Sequence, residues 1–337
     1  MSIRYCKLWF TTILVVLFLS STSVLAAQAE QPSTEGLLGS VQSVLEERLT
    51  ISPDEQIHSV EAISKTQYDE AGFITHIIWY KNQMIYREKS NLYDAAHRFI
   101  GTASYQQDGS FLQDSAYDYD KLGLLRQVRF LKPDGSNFLK KVFHYTPKGL
   151  VSQQLRFDSS DTLQGQDTFD YTTKGKLSAT YHYDAKGALI SKETYEYDKS
   201  GNINQECVYE GATNKSPLKT ILYDTEGRKV SETNYAPSGV KTREFLCEYN
   251  AVGNKIKQIH YRGDGTKYAE TRYNERGLPK TYLNYTADGL EECSEEYQYE
   301  YDAVGNWIKQ TVTTCPNENN PQHVRPLEII QRTIHYY

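Results

Sequence analysis

Tyr197-Asp198-Lys199-Ser200-Gly201-Asn202 and Tyr301-Asp302-Ala303-Val304-Gly305-Asn306 are two copies of one phrase. Shorter versions stand at Tyr119-Asp120-x-x-Gly123, Tyr183-Asp184-x-x-Gly187 and Tyr223-Asp224-x-x-Gly227. From Tyr68 to Gly305 an aromatic or apolar residue is followed four places later by a turn residue nineteen times, and in 17 copies that residue is Tyr. Leu131 and Phe157 are the exceptions. Between His97 and Gly265 the turn positions step by 12 and 14 in strict alternation, so the unit is 26 residues with two turns. A period of this length identifies a repeat architecture and takes precedence over any single motif. The Asp caps each reversal through its side chain, and the Gly supplies the left-handed conformation of a bulged hairpin.

Between turns the side chains alternate as strands do: Ser191, Glu193, Tyr195 and Tyr197 point one way, Lys192, Thr194 and Glu196 the other. Two places before the recurrent aromatic come Tyr117, Phe143, Leu155, Phe169, Tyr181, Cys207, Ile221, Cys247 and Ile259. Because both steps are even, the spacing predicts one aromatic face for the whole sheet. The fold class is all-β, an antiparallel meander of about 20 strands. Laid flat it would be on the order of 95 Å wide at ~4.8 Å per strand, far beyond an ordinary open sheet. A coiled single sheet or partial shell is therefore expected, enclosing much of the tyrosine face.

The ends of such an array need covering. Leu37, Leu38, Val41, Val44 and Leu45 fall at helical spacing, so Ser33 to Arg48 is read as a short capping helix. Pro316 to Pro326 reads as a loop and Leu327 to Tyr337 as a last strand. The irregular steps Met84 to His97 and Gly289 to Gly305 are expected bulges. Arg4 and Lys7, an apolar run from Leu8 to Leu19 and Ala27 and Ala29 before a cleavage point form an export signal. The domain reading is thus 1–29 signal peptide, 30–56 linker and capping helix, and 57–337 repeat sheet. The product is expected in the periplasm, at the cell surface or secreted, without stable membrane insertion after cleavage.

Net charge is −6 and the Lys and Arg residues are scattered, which argues against nucleic acid as a partner. No CxxC or HExxH is present, the repeated Asp is explained by turn capping, and neither a metal nor a cofactor is expected. His144, His182 and His260 read as solvated strand positions. No Gly-x-Ser-x-Gly or phosphate loop appears, so the chain is read as non-enzymatic.

Tyr-Asp-x-x-Gly followed by an alternating strand resembles the YD repeat of the RHS and wall-associated protein families, over about Tyr68 to Tyr337. The resemblance implies a spiralling β-shell at the bacterial envelope and, for the repeats, carbohydrate binding. The core motif that precedes a toxin domain in that family is absent. A glycan or envelope protein is therefore the expected ligand, with Trp307, Trp79, Tyr301 and Tyr299 as candidate stacking residues. One alternative is a shell acting with a separately encoded toxin or effector. Another is a glycan-active enzyme using Glu291, Glu292, Glu295 and Glu296. A hairpin symmetric about Val304 would place Cys293 opposite Cys315, each eleven residues from its centre, and predicts a disulfide there. Cys207 and Cys247 are read as small buried apolar residues.

Overall fold

The computed structural model describes residues 36–51, 57–105, 111–211, 216–314 and 326–337. The export signal, the 316–325 loop and Cys315 lie outside them. The described residues form 22 antiparallel strands and no helix. Each strand pairs with its neighbours in the chain, and the first, Val41–Ile51, also pairs with the last, Pro326–Tyr336. The sheet is therefore a closed barrel, not the expected open coil. Closure satisfies the backbone groups of both would-be edge strands, which would otherwise invite end-to-end association. At ~4.8 Å per strand and ~40° of tilt the perimeter is roughly 135 Å, on the order of 40 Å across for a round section.

The expected capping helix is a strand. Its apolar residues divide between two faces: Val41 and Val44 pack with Tyr68 on one, and Leu45 pairs with Lys65 on the other. Gln42 is an extra residue between the pairs Val41↔Tyr336 and Ser43↔His335. That bulge puts Val41 and Val44 on the same side three residues apart, which imitates helical spacing.

The repeated turn has one geometry. In the copy at Asp120 the Gly123 N–H donates to the Asp120 carbonyl at 2.9 Å, and the Asp120 N–H to the Leu124 carbonyl at 2.9 Å. The Asp120 Oδ1 accepts from the N–H groups of Leu122 at 2.8 Å and Leu124 at 3.0 Å. Gly123 has φ +79°. Asp118 pairs with Gln127 but Tyr119 with Leu125, so the hairpin holds one extra residue. The same shift recurs at Tyr145, Tyr171, Tyr197, Tyr223, Tyr249 and Tyr301.

This bulge corrects the expected single aromatic face. Lys141 and Phe143 pair with Arg156 and Gln154, so an odd-numbered face continues as an even-numbered one on the next strand. Even spacing preserves numerical parity while the bulge reverses the side. On one face, along the rim that bears the Asp120 and Asp198 turns, Phe143, Phe169 and Tyr195 are buried with Leu125, Val128, Val151 and Leu177, and Tyr119, Tyr145, Tyr171 and Tyr197 pack against them. Leu155, Phe157, Tyr181, Cys207, Ile259 and Leu283 lie on the other face, toward the opposite rim. Each face thus carries an aromatic belt along one rim and polar side chains along the other.

Substantial contacts join only paired neighbours, so the wall is a single layer. Several of the most deeply buried positions are accordingly short, Ala103, Thr180 and Ala269 at 0, 1 and 2% exposed, while the long Glu270, at 1%, is paired with Lys267 at 2.9 Å and Arg272 at 2.7 Å. Long side chains cover one another. Arg126 sits 5.0 Å from the Tyr145 ring centroid, Lys176 5.1 Å from Tyr197 and Arg228 4.9 Å from Tyr249. The tyrosine hydroxyls bind successive hairpins together along the first rim. Tyr119 donates to the Phe99 carbonyl at 2.8 Å, Tyr145 to Leu125 at 2.6 Å, Tyr171 to Val151 at 2.7 Å and Tyr197 to Leu177 at 2.7 Å.

The last repeat turn closes the ring. Asn306 is 4% exposed; its Oδ1 accepts from the Leu38 N–H at 2.6 Å, and its Nδ2 donates to the Leu38 carbonyl at 2.8 Å and the Tyr336 hydroxyl at 2.7 Å. Tyr336 in turn donates to Asp302. Asn202 and Asn254 occupy the same place in earlier copies and donate to the carbonyls of Thr225 and Glu275 in the next turn. In the final copy the next segment around the ring is the start of the first strand.

Both irregular steps contain a bulge. Asn82 and Gln83, with φ 52° and 63°, form a two-residue turn from which Met84 begins the next strand, and Tyr86 is an extra residue between the pairs Tyr80↔Ile85 and Trp79↔Arg87. Ser294 is an extra residue between the pairs Leu283↔Cys293 and Tyr282↔Glu295, the expected bulge. In the 302–306 hairpin Tyr299 pairs with Gln310 and Glu295 with Thr314, one place off symmetry about Val304; the Cys293–Cys315 pairing itself lies outside the described residues. Cys207 and Cys247 are free and buried, as read from their spacing.

Two substitutions isolate the left-handed turn position. Asp161 adopts φ 58°, and a Cβ at Gly187, φ +82°, would meet nothing within 4 Å. Gly187→Ala is expected to destabilise by ~1 kcal/mol through backbone strain alone. Asp161→Gly is expected to stabilise by a similar ~1 kcal/mol, less the small value of its exposed pair with Lys140. Urea midpoints moving in the same direction would refute this account. For the clasp, Asn306→Ala strands both backbone groups of Leu38 and is expected to lower stability by about 2 kcal/mol, with faster amide exchange at Leu38 and Tyr337 than at the remote repeats.

Candidate functional site

Three of the four predicted aromatic residues come together beside the clasp. The Tyr299 ring centroid lies 6.1 Å from Trp307 and 6.4 Å from Tyr301. Arg332 lies over Trp307 at 3.5 Å and Arg276 over Tyr301 at 4.1 Å from the ring centroids. Arg332 is fixed by Glu46 at 2.8 Å, and Arg276 donates to the Gly305 carbonyl at 2.7 Å. All three rings are half-buried, each with part of its surface covered. Trp79 is not with them. It pairs with Ser64 and Arg87 near the opposite rim, with the Arg87 guanidinium 5.4 Å from its ring. Of the acidic candidates, Glu291 and Glu295 do not converge: Glu291 approaches Tyr285 and Arg272 on one face, while Glu295 accepts the Tyr297 hydroxyl on the other.

A second feature was hidden by the helical reading of the N-terminal segment. Where the first, second and last strands meet, a cleft of about 510 Å³ is lined by Gln42, Ser43, Lys65, Gln67, Thr75 and His335. Tyr68 and Tyr337 form the rest of its wall, and the Tyr337 hydroxyl donates to the Tyr68 carbonyl at 2.6 Å. Ser43 and His335 are paired on the face opposite Arg332 and Trp307. The bulge at Gln42 aims that side chain into the cleft.

The third feature is a chain of polar groups crossing four adjacent strands. Asp167 is buried and accepts from Gln154 Nε2 at 2.7 Å, Arg156 at 2.6 Å and His182 Nδ1 at 2.8 Å. His182 Nε2 lies 3.7 Å from Glu193, whose other oxygen accepts the Tyr195 hydroxyl at 2.6 Å. His182 is thus a paired, largely covered residue and not the solvated position its spacing implied; the hairpin bulge places it on the face opposite His144. Burial alone would lower its pKa, but the hydrogen bonds and charges of Asp167 and Glu193 outweigh that and lift it to about 9. Burial likewise opposes ionisation of Asp167, yet His182 and Arg156 hold its carboxyl below the usual range. Lys141, 7% exposed, has no hydrogen bond or ion pair among the described residues, and burial pushes its pKa down against the pull of Asp167.

No family model matches the chain, and no curated protein does. Solved structures with some likeness include the TcdB2–TccC3–Cdc42 crystal structure, at 13% identity and a TM-score of 0.33, covering 86% of this chain and 18% of that one. The Photorhabdus luminescens Tc holotoxin pore is similar at 10% identity and a TM-score of 0.26, over 82% of this chain and 21% of that one. A porin-like protein from Bacteroides uniformis is similar at 11% identity and a TM-score of 0.26, covering 89% of this chain and 99% of that one. The chain spans about a fifth of the length of the Tc toxin chains it matches. At these TM-scores none of the likenesses bears on activity.

The His182 pairing carries a pH signature. A histidine whose folded pKa is raised from 6.5 to about 9 contributes stability that is fully present below pH ~6.5 and is lost as pH rises through ~9. The contribution is at most about 3 kcal/mol for that shift. His182→Gln is expected to remove it, so wild type and variant differ most at pH 6 and converge near pH 10 in chemical denaturation. A difference independent of pH would rule out the charged pairing.

Proposed function

We propose that the chain is an exported, non-enzymatic YD-repeat barrel that binds a carbohydrate or a protein ligand at the bacterial envelope. The observation that carries this reading is the cluster of Tyr299, Tyr301 and Trp307 at the clasp rim, flanked by Arg276 and Arg332. Half-buried rings offer flat apolar surface to the C–H faces of a sugar or to a partner side chain, and guanidinium groups donate to hydroxyls or carbonyls. The barrel works in water in this reading. Charges stand on both faces: Lys141, Arg156, Asp167 and Glu193 on one, Lys140, Lys192, Lys257 and Glu270 on the other. Whichever face is outward, it lacks the continuous apolar band of a lipid-spanning barrel.

The closed wall favours a second reading, a shell working with a separately encoded effector, because a ring of 22 strands has an interior. A glycan and envelope-fraction binding screen separates the two. Saturable binding that Trp307→Ala weakens at least about tenfold, the loss of ~1.4 kcal/mol of stacking, supports the ligand-binding rim. Trp307→Phe should recover part of it. Absence of binding by a folded barrel moves the assignment to the shell.

A further inference from the structure

The seam cleft is chemically one-sided. Among the described residues the side chains of Gln42, Ser43, Lys65, Gln67 and His335 form no hydrogen bond or ion pair with one another or with the rest of the wall, and no Asp or Glu lines the space. Neighbouring cations at the same seam are answered: Arg48 by Glu328 at 2.9 Å and Arg332 by Glu46 at 2.8 Å. Lys65 has no such counter-ion. Two other polar groups are already engaged and stiffen the cleft, the Thr75 hydroxyl on the Gln67 carbonyl at 3.3 Å and the Tyr337 hydroxyl on Tyr68. Ser43 and Tyr68 are 6 and 5% exposed, so part of the floor is dry.

The volume, about 510 Å³, is that of a small-molecule site. One ammonium without a guanidinium beside it matches a single negative charge better than a phosphate dianion. Two free amides and a free hydroxyl call for a ligand that also carries hydroxyl groups. We propose that the seam cleft binds a small polyhydroxylated monocarboxylate, with Lys65 Nζ taking the carboxylate and Gln42, Gln67 and Ser43 taking the hydroxyls. This site is on the opposite face from Trp307 and does not depend on the ligand proposed for the aromatic rim. Since Gln42, Ser43, Lys65, Gln67 and His335 come from the first, second and last strands, which meet only when the ring closes, occupancy also favours the closed barrel over the unfolded chain.

The probe is gluconate, with sorbitol as its neutral counterpart of the same chain length, titrated into the full chain by calorimetry and thermal melting. Saturable gluconate binding with a raised melting temperature is expected, and neither response to sorbitol at the same concentrations. Lys65→Met should weaken gluconate at least about tenfold, the loss of one charge-assisted contact, while Trp307→Ala leaves it unchanged. Gln42→Ala, at an exposed bulge, should weaken binding several-fold at an unchanged melting temperature, and serves if Lys65→Met unfolds. Equal binding of sorbitol, no saturable response to gluconate, or wild-type affinity in both variants would overturn the proposal.

Discussion

A single backbone device, the left-handed residue that closes each bulged hairpin, governs the barrel. At Gly123 and Gly201, with φ +79° and +89°, it lets a three-residue reversal join strands whose pairing is offset by one place. The offset has two effects. It increases local twist, which a long meander must accumulate before its ends can meet. It also turns each successive tyrosine to the other side of the sheet, so the apolar surface is shared between two half-height belts. Had every tyrosine faced one way, the wall would present one continuous apolar face and one charged face. That is the pattern of a sheet needing a second layer or a membrane.

A wall one strand thick must be its own core. The cations lying over Tyr145, Tyr197 and Tyr249 serve that purpose, since their methylene stems cover a ring while their heads stay wet. Tyrosine suits the position better than phenylalanine because its hydroxyl reaches the backbone carbonyl of the adjacent strand, as Tyr171 does at Val151. The chain has 28 Tyr and 11 Phe, consistent with a ring whose polar end is used at most copies. The Asp167–His182–Glu193 chain solves the same problem at the polar end of the face, where neighbouring strands offer charges to one another and no apolar layer covers them.

Much of this was legible in the sequence for a physical reason: turn chemistry is local. Asp-x-x-Gly announces its own hydrogen bonds, and alternation between turns announces a strand. What escaped was whatever depends on counting bulges or on distant pairing. The side occupied by Tyr181 or His182 cannot be read from even spacing, because the bulge leaves no mark in the numbering. Closure is the sum of twist over 22 strands, which no window of sequence contains. The first strand misled for a third reason: its bulge at Gln42 produced a three-residue apolar spacing that belongs equally to a helix. Of the candidate site, the rim aromatics were visible as residues beside the last Gly-Asn turn, and three of them do meet. The seam cleft was not visible, since Gln42, Lys65 and His335 are brought together only by closure.

Both proposed sites lie where the array departs from its own regularity, and the physics of a repeat explains why. Within the regular repeats many charges have a partner one strand away, as Asp167 has Arg156 and His182 and as Arg129 has Asp118, because complementary residue types recur on neighbouring strands. At the seam the partner across the gap is not another repeat copy. It is a first or last strand with its own sequence, so Lys65 and Gln42 face neighbours that do not answer them. Unanswered polar groups around a cleft are what a soluble ligand can use, and the Asn306 clasp holds those strands at fixed spacing so that such a site can be preorganised. The seam therefore combines rigidity supplied by the repeats with chemistry that the repeats do not consume.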